Sequence, residues 1–244
     1  MKNIENLKVK IFADGADLKN ILKLNSNPLI KGFTTNPSLM RKAGVGNYKY
    51  FAQEILKSIK DKPISFEVFA DNFEDMALQA EEISSWGENV NVKIPITNTK
   101  GKSTAELIYN LSKKHIVCNV TAIFTIDQLS KIVDVLDPKT PAILSIFAGR
   151  IADTGVDPLS TMKEAVEIAK LKPKAEILWA SPRELLNIFQ AEEVGCHIIT
   201  VAHEILNKIS TVNKDLNDFS LETVSMFFND AKKAGYTIET KLKK

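Results

Sequence analysis

The stretch of residues 64–95 reads ISFEVFADNFEDMALQAEEISSWGENVNVKIP and contains one full repeat of the pattern that decides the fold. Residues 64–70 and 90–94 are short runs rich in β-branched, aromatic and other apolar residues, as is typical of strands. Residues 73–85 between them have the apolar spacing of an amphipathic helix. Two parallel strands need a crossover connection of a dozen or more residues, so this order predicts a β-α-β unit.

The same alternation continues along the whole chain. Strand-like runs lie at residues 9–13, 30–34, 64–70, 90–94, 116–121, 142–147, 176–180 and 196–201. Helical patterns fill the gaps, for example at residues 73–85, 104–114, 126–136 and 159–170. Eight such units with right-handed crossovers predict an α/β protein with a single (β/α)8 TIM barrel. An open doubly wound sheet is the alternative, but it would not require eight evenly spaced strands.

The length of 244 residues suits one barrel, since such barrels commonly have about 250 residues. No low-complexity linker divides the chain, so we expect one domain over residues 1–244, with the barrel at about 8–210. Residues 204–210 then predict a closing helix, and residues 221–234 an extra C-terminal helix within an extension at about 217–236. The last lysines, Lys241, Lys243 and Lys244, are expected to form a solvated tail.

Composition excludes several classes of partner. The 32 basic and 30 acidic residues leave a formal charge of +2, which argues against a nucleic-acid surface. The N-terminal residues have no signal-peptide pattern, and no apolar run approaches the ~18 residues that span a bilayer. We therefore expect a cytoplasmic protein without a membrane partner.

Cysteine and histidine residues are too few and too dispersed to predict a metal site. Cys118 and Cys196 are flanked by apolar residues and are expected to be buried small hydrophobes rather than a disulfide. His115, His197 and His203 lack carboxylates at ligand spacing and are given no role. We expect no metal and no cofactor.

Polar residues recur where the predicted strands end, which is where barrel enzymes place reactive groups. Because side chains alternate along a strand, Asn91 and Lys93 should point into the barrel while their apolar neighbours face the helices. Burying an unpaired charge costs several kcal/mol, so such an accumulation favours a functional site over packing. The candidate residues are Asp14, Asn36, Glu67, Lys93, Asn119, Thr121, Ser145, Phe147, Arg150, Ser181 and Arg183.

This set predicts amine-based chemistry at the carbon–carbon bond next to a ketone. A lysine in an apolar strand can lose its proton and attack a ketone to form an iminium ion, which withdraws electrons from the neighbouring bond. Lys93 is the candidate nucleophile. Glu67, acting through a water held by Thr121, would move protons, and Asp14 would take the proton of the departing hydroxyl.

An anionic group on the substrate would explain a second group of residues. Arg150 follows the sixth strand, and Ser181 and Arg183 follow the seventh at the predicted start of a helix. Guanidinium groups match phosphate oxygens, and helix N-termini attract anions, so these three residues are predicted to bind phosphate.

These residues resemble those of the transaldolase family from Asp14 to about His203. The matching stretches are FAD at 12–14, GFTTNPSL at 32–39, VKIP at 92–95, CNVT at 118–121, FAGR at 147–150 and ASPR at 180–183. The resemblance implies a metal-free Schiff-base enzyme of the pentose phosphate pathway, often a homo-oligomer. It would move a dihydroxyacetone unit from sedoheptulose 7-phosphate or fructose 6-phosphate to an aldose phosphate. It also implies that Asn36, Asn119 and Ser145 hold the dihydroxyacetone hydroxyls.

Two alternatives stay open. The related fructose-6-phosphate aldolases release free dihydroxyacetone and typically carry Gln and Tyr where this chain has Glu67 and Phe147. Phe147 has no proton to give to the three-carbon carbanion that is bound to the lysine. This favours transfer of that unit to an acceptor over its release. Gly15, Ile146 and Pro182 depart from the family pattern and leave the exact sugar open. The other alternative is a non-catalytic barrel that binds sugar phosphates, although binding alone does not require a buried lysine.

Overall fold

The computed structural model describes residues 3–240, so the predicted lysine tail at 241–244 lies outside the described residues. Eight parallel strands form a closed barrel in chain order, and β8 pairs with β1 to close it. The predicted (β/α)8 barrel is therefore confirmed. The strands are β1 (Lys10–Asp14), β2 (Ile30–Thr34), β3 (Ile64–Glu67), β4 (Val90–Pro95), β5 (Cys118–Ile123), β6 (Ala142–Ile146), β7 (Ala175–Trp179) and β8 (Ile198–Ala202).

Helices surround the barrel and connect successive strands. They are α1 (Leu18–Asn25), α2 (Pro37–Lys42), α3 (Tyr48–Ser58), α4 (Phe73–Ser84), α5 (Ala105–Lys113), α6 (Ile126–Val135), α7 (Ala148–Ala152), α8 (Leu159–Ala169), α9 (Leu186–Glu193), α10 (His203–Leu206) and α11 (Leu216–Ala234). Polar caps fix many of their starts, and α6 begins with a capping box between Thr125 and Gln128.

The barrel interior and its outer face form two apolar layers. The larger layer lies between strands and helices and contains Cys118 and Cys196, both buried with free thiols, as expected. Inside the barrel, a smaller cluster is centred on Phe12. Gly32 makes room for this ring, because a Cβ at that position would lie 2.6 Å from it.

Several strand ends differ from the prediction, and β3 differs most. It ends at Glu67 rather than at residue 70, because the chain then turns and the side chain of Gln79 accepts the backbone N–H groups of Phe69 and Ala70. The strand β5 lies two residues further along than predicted, after a left-handed turn at His115. Where these strands begin and end depends on the tertiary partners of their backbone groups.

The C-terminal elements also differ in detail. The predicted closing helix at 204–210 is the short helix α10 followed by a 3-10 turn, Asn207–Thr211. The extra helix α11 begins at Leu216, five residues earlier than predicted, because Asp215 caps its first N–H groups. None of the residues of α11 is buried. No helix within residues 3–240 is long and apolar enough to span a membrane.

Candidate active site

A cavity of about 520 Å³ opens at the carboxyl ends of the strands, where the sequence places its candidate site. Side chains from the ends of most of the strands meet there. Of the eleven candidate residues, nine line this cavity: Asp14, Asn36, Glu67, Lys93, Thr121, Ser145, Phe147, Arg150 and Ser181. Asn119 and Arg183 do not.

Lys93 and Glu67 are neighbours across the β3–β4 ladder, since their Cα atoms are paired in register. The Lys93 side chain is buried, with 7% of the residue exposed, and its Nζ lies 3.1 Å from Oε2 of Glu67. This contact is an ion pair without hydrogen-bond alignment, because the same oxygen has no hydrogen-bond partner among the described residues. The amine donates instead to the backbone carbonyl of Thr35 at 3.2 Å.

Asp14 ends β1, is partly buried and lines the cavity. Burial raises the pKa of its carboxyl above the ordinary value, while the charge of Lys93 and a hydrogen bond from Thr34 act in the opposite direction. The Thr34 hydroxyl donates to the carboxylate at 2.7 Å and contacts the hydroxyl of Thr200. Since Thr34 has one proton to give, Thr200 supplies the hydrogen bond between the two hydroxyls.

Asn119 supports the cavity from within the barrel. Its amide is fully buried, accepts a 2.6 Å hydrogen bond from Ser145 and donates at 2.9 Å to Ser65. These two bonds determine the orientation of the amide and of the Ser145 hydroxyl, which does line the cavity. Thr121 lines it too, and its buried Oγ1 has no partner among the described residues.

Two aromatic rings and a guanidinium group line the cavity beyond the ends of β5 and β6. Phe147 is the residue immediately before α7, and its ring centroid lies 5.7 Å from that of Phe124. The guanidinium of Arg150 lies 5.5 Å from the Phe147 ring. Ala122 has the positive φ of 60° that bends the end of β5 ahead of Phe124.

Gly149 brings the loops after β6 and β7 into contact. Its N–H donates to the carbonyl of Ala180 at 3.3 Å, and a Cβ would lie 1.5 Å from the carbonyl oxygen of Ser181. Only glycine permits this approach. Ser181 itself has a φ of 60°, so the loop after β7 turns sharply at the cavity.

Asn36 both caps a helix and lines the cavity. Its Oδ1 accepts from the N–H of Leu39 at 2.9 Å and caps α2, while Pro37 occupies the first turn. Asn36 thus follows the end of β2, as predicted, and also stands directly before the first residue of α2.

Arg183 lies outside the cavity lining, contrary to its expected position. Its guanidinium forms a two-point contact with Asp153, which holds the pKa of that carboxyl below its usual range. The helix after β7 begins only at Leu186, so the prediction that Ser181 and Arg183 stand at a helix start is wrong. The loop instead uses Asn187, whose Oδ1 accepts from the N–H of Arg183.

Sequence reasoning did not single out several residues around this cavity. Thr200 is the polar residue on the inward face of an apolar strand, so strand alternation could have identified it, as for Thr34. Phe124 lines the cavity, and Tyr48 binds the backbone of Glu67 from α3; no sequence signal marked either residue. Within residues 3–240 no group of three or more His, Cys, Asp or Glu side chains could hold a metal ion.

Solved structures with the same architecture share the fold alone. A dihydrodipicolinate synthase from Rhodopseudomonas palustris matches with a TM-score of 0.54 and 14% identity, over 82% of this chain and 71% of that one. A mandelate oxidase mutant matches with a TM-score of 0.55 and 10% identity, over 83% and 70% of the two chains. These similarities support the assignment of the fold as a (β/α)8 barrel.

Sequence relatives are more specific. A protein named "probable transaldolase" from Nitrosopumilus maritimus (strain SCM1) is 36% identical over 204 residues, which cover 82% of this chain and 87% of the relative. Another with that name from Thermoanaerobacter sp. (strain X514) is 35% identical over 232 residues, covering 94% of this chain and 100% of the relative. The family model described as transaldolase/fructose-6-phosphate aldolase matches residues 11–244. The chain therefore belongs to the transaldolase/fructose-6-phosphate aldolase family.

Proposed function

We propose that this protein is a transaldolase that moves a dihydroxyacetone unit from a ketose phosphate to an aldose phosphate through a Schiff base on Lys93. The donors are sedoheptulose 7-phosphate or fructose 6-phosphate, as in the pentose phosphate pathway. The observation that carries the proposal is a buried amine beside a carboxylate, with its Nζ 3.1 Å from Glu67, facing a cavity that a sugar phosphate could enter.

The first stage is imine formation. Lys93 attacks the ketone carbon of the donor, and the oxygen leaves as water once it has gained two protons. Starting from its ammonium form, Lys93 loses two protons in all, and Glu67 passes both of them to the leaving oxygen. The unpartnered Oγ1 of Thr121 supports a role in holding the water that carries these protons.

The second stage breaks the aldol bond. Asp14 takes the proton from the hydroxyl of the departing carbon, that carbon becomes an aldehyde, and the bond's electron pair passes to the iminium to give an enamine. The acceptor aldehyde then forms a new bond with this enamine while Asp14 returns the proton, and hydrolysis frees Lys93. In this proposal Ser145, positioned by Asn119, and the amide N–H groups of Asn36 bind the dihydroxyacetone hydroxyls.

The phosphate contact is assigned mainly to Arg150 and Ser181. Both line the cavity, and Arg150 has no ion pair within 4 Å in the described part of the chain, which leaves its guanidinium for an anion. Arg183 contributes only if its guanidinium exchanges Asp153 for the phosphate. Its role in phosphate binding stays a prediction.

The paired rings of Phe147 and Phe124, which line the same cavity as Lys93, favour transfer of the three-carbon unit over its release. Neither ring offers a proton to the enamine, so the three-carbon unit waits for an acceptor. With fructose 6-phosphate as donor, dihydroxyacetone should accumulate much more slowly than an added aldose phosphate is converted. Equal rates would favour the free aldolase.

Borohydride trapping tests the Schiff base and its position. Reduction in the presence of fructose 6-phosphate, followed by peptide mass mapping, should place the adduct on Lys93. Lys93→Arg should form none, because guanidinium stays protonated, while Lys100→Arg, at an exposed site, should label normally. An adduct on another lysine would refute the assignment, and binding without any adduct would favour the non-catalytic barrel.

We also propose that the protein is a homo-oligomer. The helix α11 supports this, since it exposes large apolar side chains such as Phe227 and Phe228. The cytoplasmic location stays a prediction.

A further inference from the structure

The sheet opens between β2 and β3 next to the candidate nucleophile. The pairing of the two strands ends at Thr34 with Ser65, and Thr35 adds a last bond from its N–H to the carbonyl of Ser65 at 3.1 Å. The chain then leaves β2 at Asn36 to enter α2. The N–H and carbonyl of Glu67 therefore lose the strand that would have paired with them, and such groups need other partners when buried.

Tyr48, the first residue of α3, takes the place of that strand. Its hydroxyl accepts from the N–H of Glu67 at 2.7 Å and donates to the carbonyl of the same residue at 3.0 Å. The ring is fixed by aromatic neighbours, with centroid distances of 4.6 Å to Phe69, 5.5 Å to Trp86 and 6.0 Å to Phe66. One phenol thus fixes the end of β3.

We propose that Tyr48 is a positioning residue that aims the Glu67 carboxylate at the Lys93 amine. The inference rests on the proposed function, in which Glu67 moves protons for Lys93. Nζ forms an ion pair with the Glu67 carboxylate and donates a hydrogen bond to the Thr35 carbonyl, and both residues adjoin the opening that the phenol fills. A shift at this point would separate the carboxylate from the amine without disturbing the far side of the cavity.

The electrostatics of the phenol agree with this role. Burial raises the pKa of Tyr48 well above its ordinary value, although the hydrogen bond with the Glu67 backbone acts in the opposite direction. The phenol therefore keeps the proton that it donates to the carbonyl of Glu67 across the working pH range.

Tyr48→Phe removes one oxygen and tests the inference. The expected result is a fall in kcat of about tenfold to a hundredfold with KM within about twofold, since proton transfer depends on alignment while the anion and hydroxyl contacts lie elsewhere. The rate of borohydride-trapped adduct formation with fructose 6-phosphate should fall by the same factor. Tyr50→Phe, on an exposed residue of the same helix, is the matched control and should behave as wild type.

A double variant separates positioning from a general loss of structure. If Tyr48 acts through Glu67, then adding Tyr48→Phe to Glu67→Gln should cost little beyond Glu67→Gln alone. Thermal unfolding is recorded for each variant. Tyr48→Met, which also lacks the hydroxyl, replaces Tyr48→Phe if the latter is not recovered folded, and the same loss in kcat is expected.

Three results would overturn the inference: a wild-type kcat in a folded variant without the hydroxyl, a kcat and KM that worsen together, or a loss that adds fully to that of Glu67→Gln. The wild-type trapping experiment distinguishes this failure from that of the proposed function. If wild type forms no adduct on Lys93, the proposed function fails and this inference with it. If wild type is trapped and Tyr48→Phe is trapped equally fast, only the role of Tyr48 is refuted.

Discussion

At the scale of single residues, Asp14 shows how opposing surroundings shape one carboxyl group. Burial raises its pKa, and the charge of Lys93 with the hydrogen bond from Thr34 partly offsets that rise. An aspartate whose pKa is raised loses its base form at a higher pH than an ordinary aspartate as the solution is acidified. If Asp14 is the aldol base, the acid limb of kcat/KM therefore lies above the usual aspartate range.

Thr34→Val should move that acid limb to still higher pH. The Thr34 hydroxyl stabilises the charged carboxylate through a 2.7 Å hydrogen bond, so its removal favours the protonated form. The pH dependence of kcat/KM for the donor sugar measures the shift. Thr200→Val removes the hydroxyl that contacts Thr34 and should shift the limb in the same direction but less. A limb that stays in place, or moves to lower pH, would contradict the role of Thr34.

Residue positions were predictable where strand alternation determines them. Lys93 was expected to face the interior from its place between apolar neighbours, and its register with Glu67 places both side chains on one face. The partner of Arg183 was not predictable, because Asp153 lies 30 residues earlier and meets it only through the packing of two loops. A cation after a strand can bind a ligand or a neighbouring carboxylate, and sequence alone does not distinguish them.

At the scale of elements, the centres of strands and helices were more predictable than their ends. Strand β2 has the predicted bounds because the short segment Ile30–Thr34 is enclosed by the turn signals Asn27-Pro28 and Asn36-Pro37. Strand β3 ends early because Tyr48 binds the backbone of its last residue, Glu67, and Gln79, from a different helix, binds the backbone beyond it. Local propensity contains no information about such distant partners.

Gly149→Ala should separate the two loops that form the phosphate side of the cavity. The new Cβ would overlap the Ser181 carbonyl, where no flexible side chain can move aside, so the loops must shift. We expect a loss of ~1–3 kcal/mol in the free energy of unfolding, or about 2–4 °C in Tm for each kcal/mol. KM for the phosphorylated donor should also rise, since Arg150 follows Gly149 in α7 and Ser181 lies on the loop after β7.

Gly46→Ala is the matched control, because a Cβ at Gly46 meets nothing within 4 Å. It should leave both Tm and KM near their wild-type values. If Gly149→Ala behaves like Gly46→Ala, the close approach of the two loops does not exist in solution.

At the scale of the whole molecule, the barrel and α11 differ in how they bury apolar surface. The barrel buries most of its large apolar side chains, chiefly between strands and helices. Helix α11 has 19 residues, and the structure buries none of them, although Phe219, Phe227 and Phe228 lie along it. Monomeric proteins rarely expose such a concentration of aromatic side chains, so a second copy of the chain is the proposed cover.

Replacing Phe227 and Phe228 together by Asp should therefore lower the molar mass in solution. Wild type should elute at a multiple of the 27.1 kDa chain mass, as measured by light scattering after size exclusion. The double variant should shift toward one chain, because two charged carboxylates at the contact would have to be buried without partners. Leu171→Asp is the control: Leu171 is 71% exposed but lies on the loop after α8, so its replacement should leave the mass unchanged. A wild type that elutes as one chain would refute the proposed homo-oligomer, and a double variant of unchanged mass would place its interface away from α11.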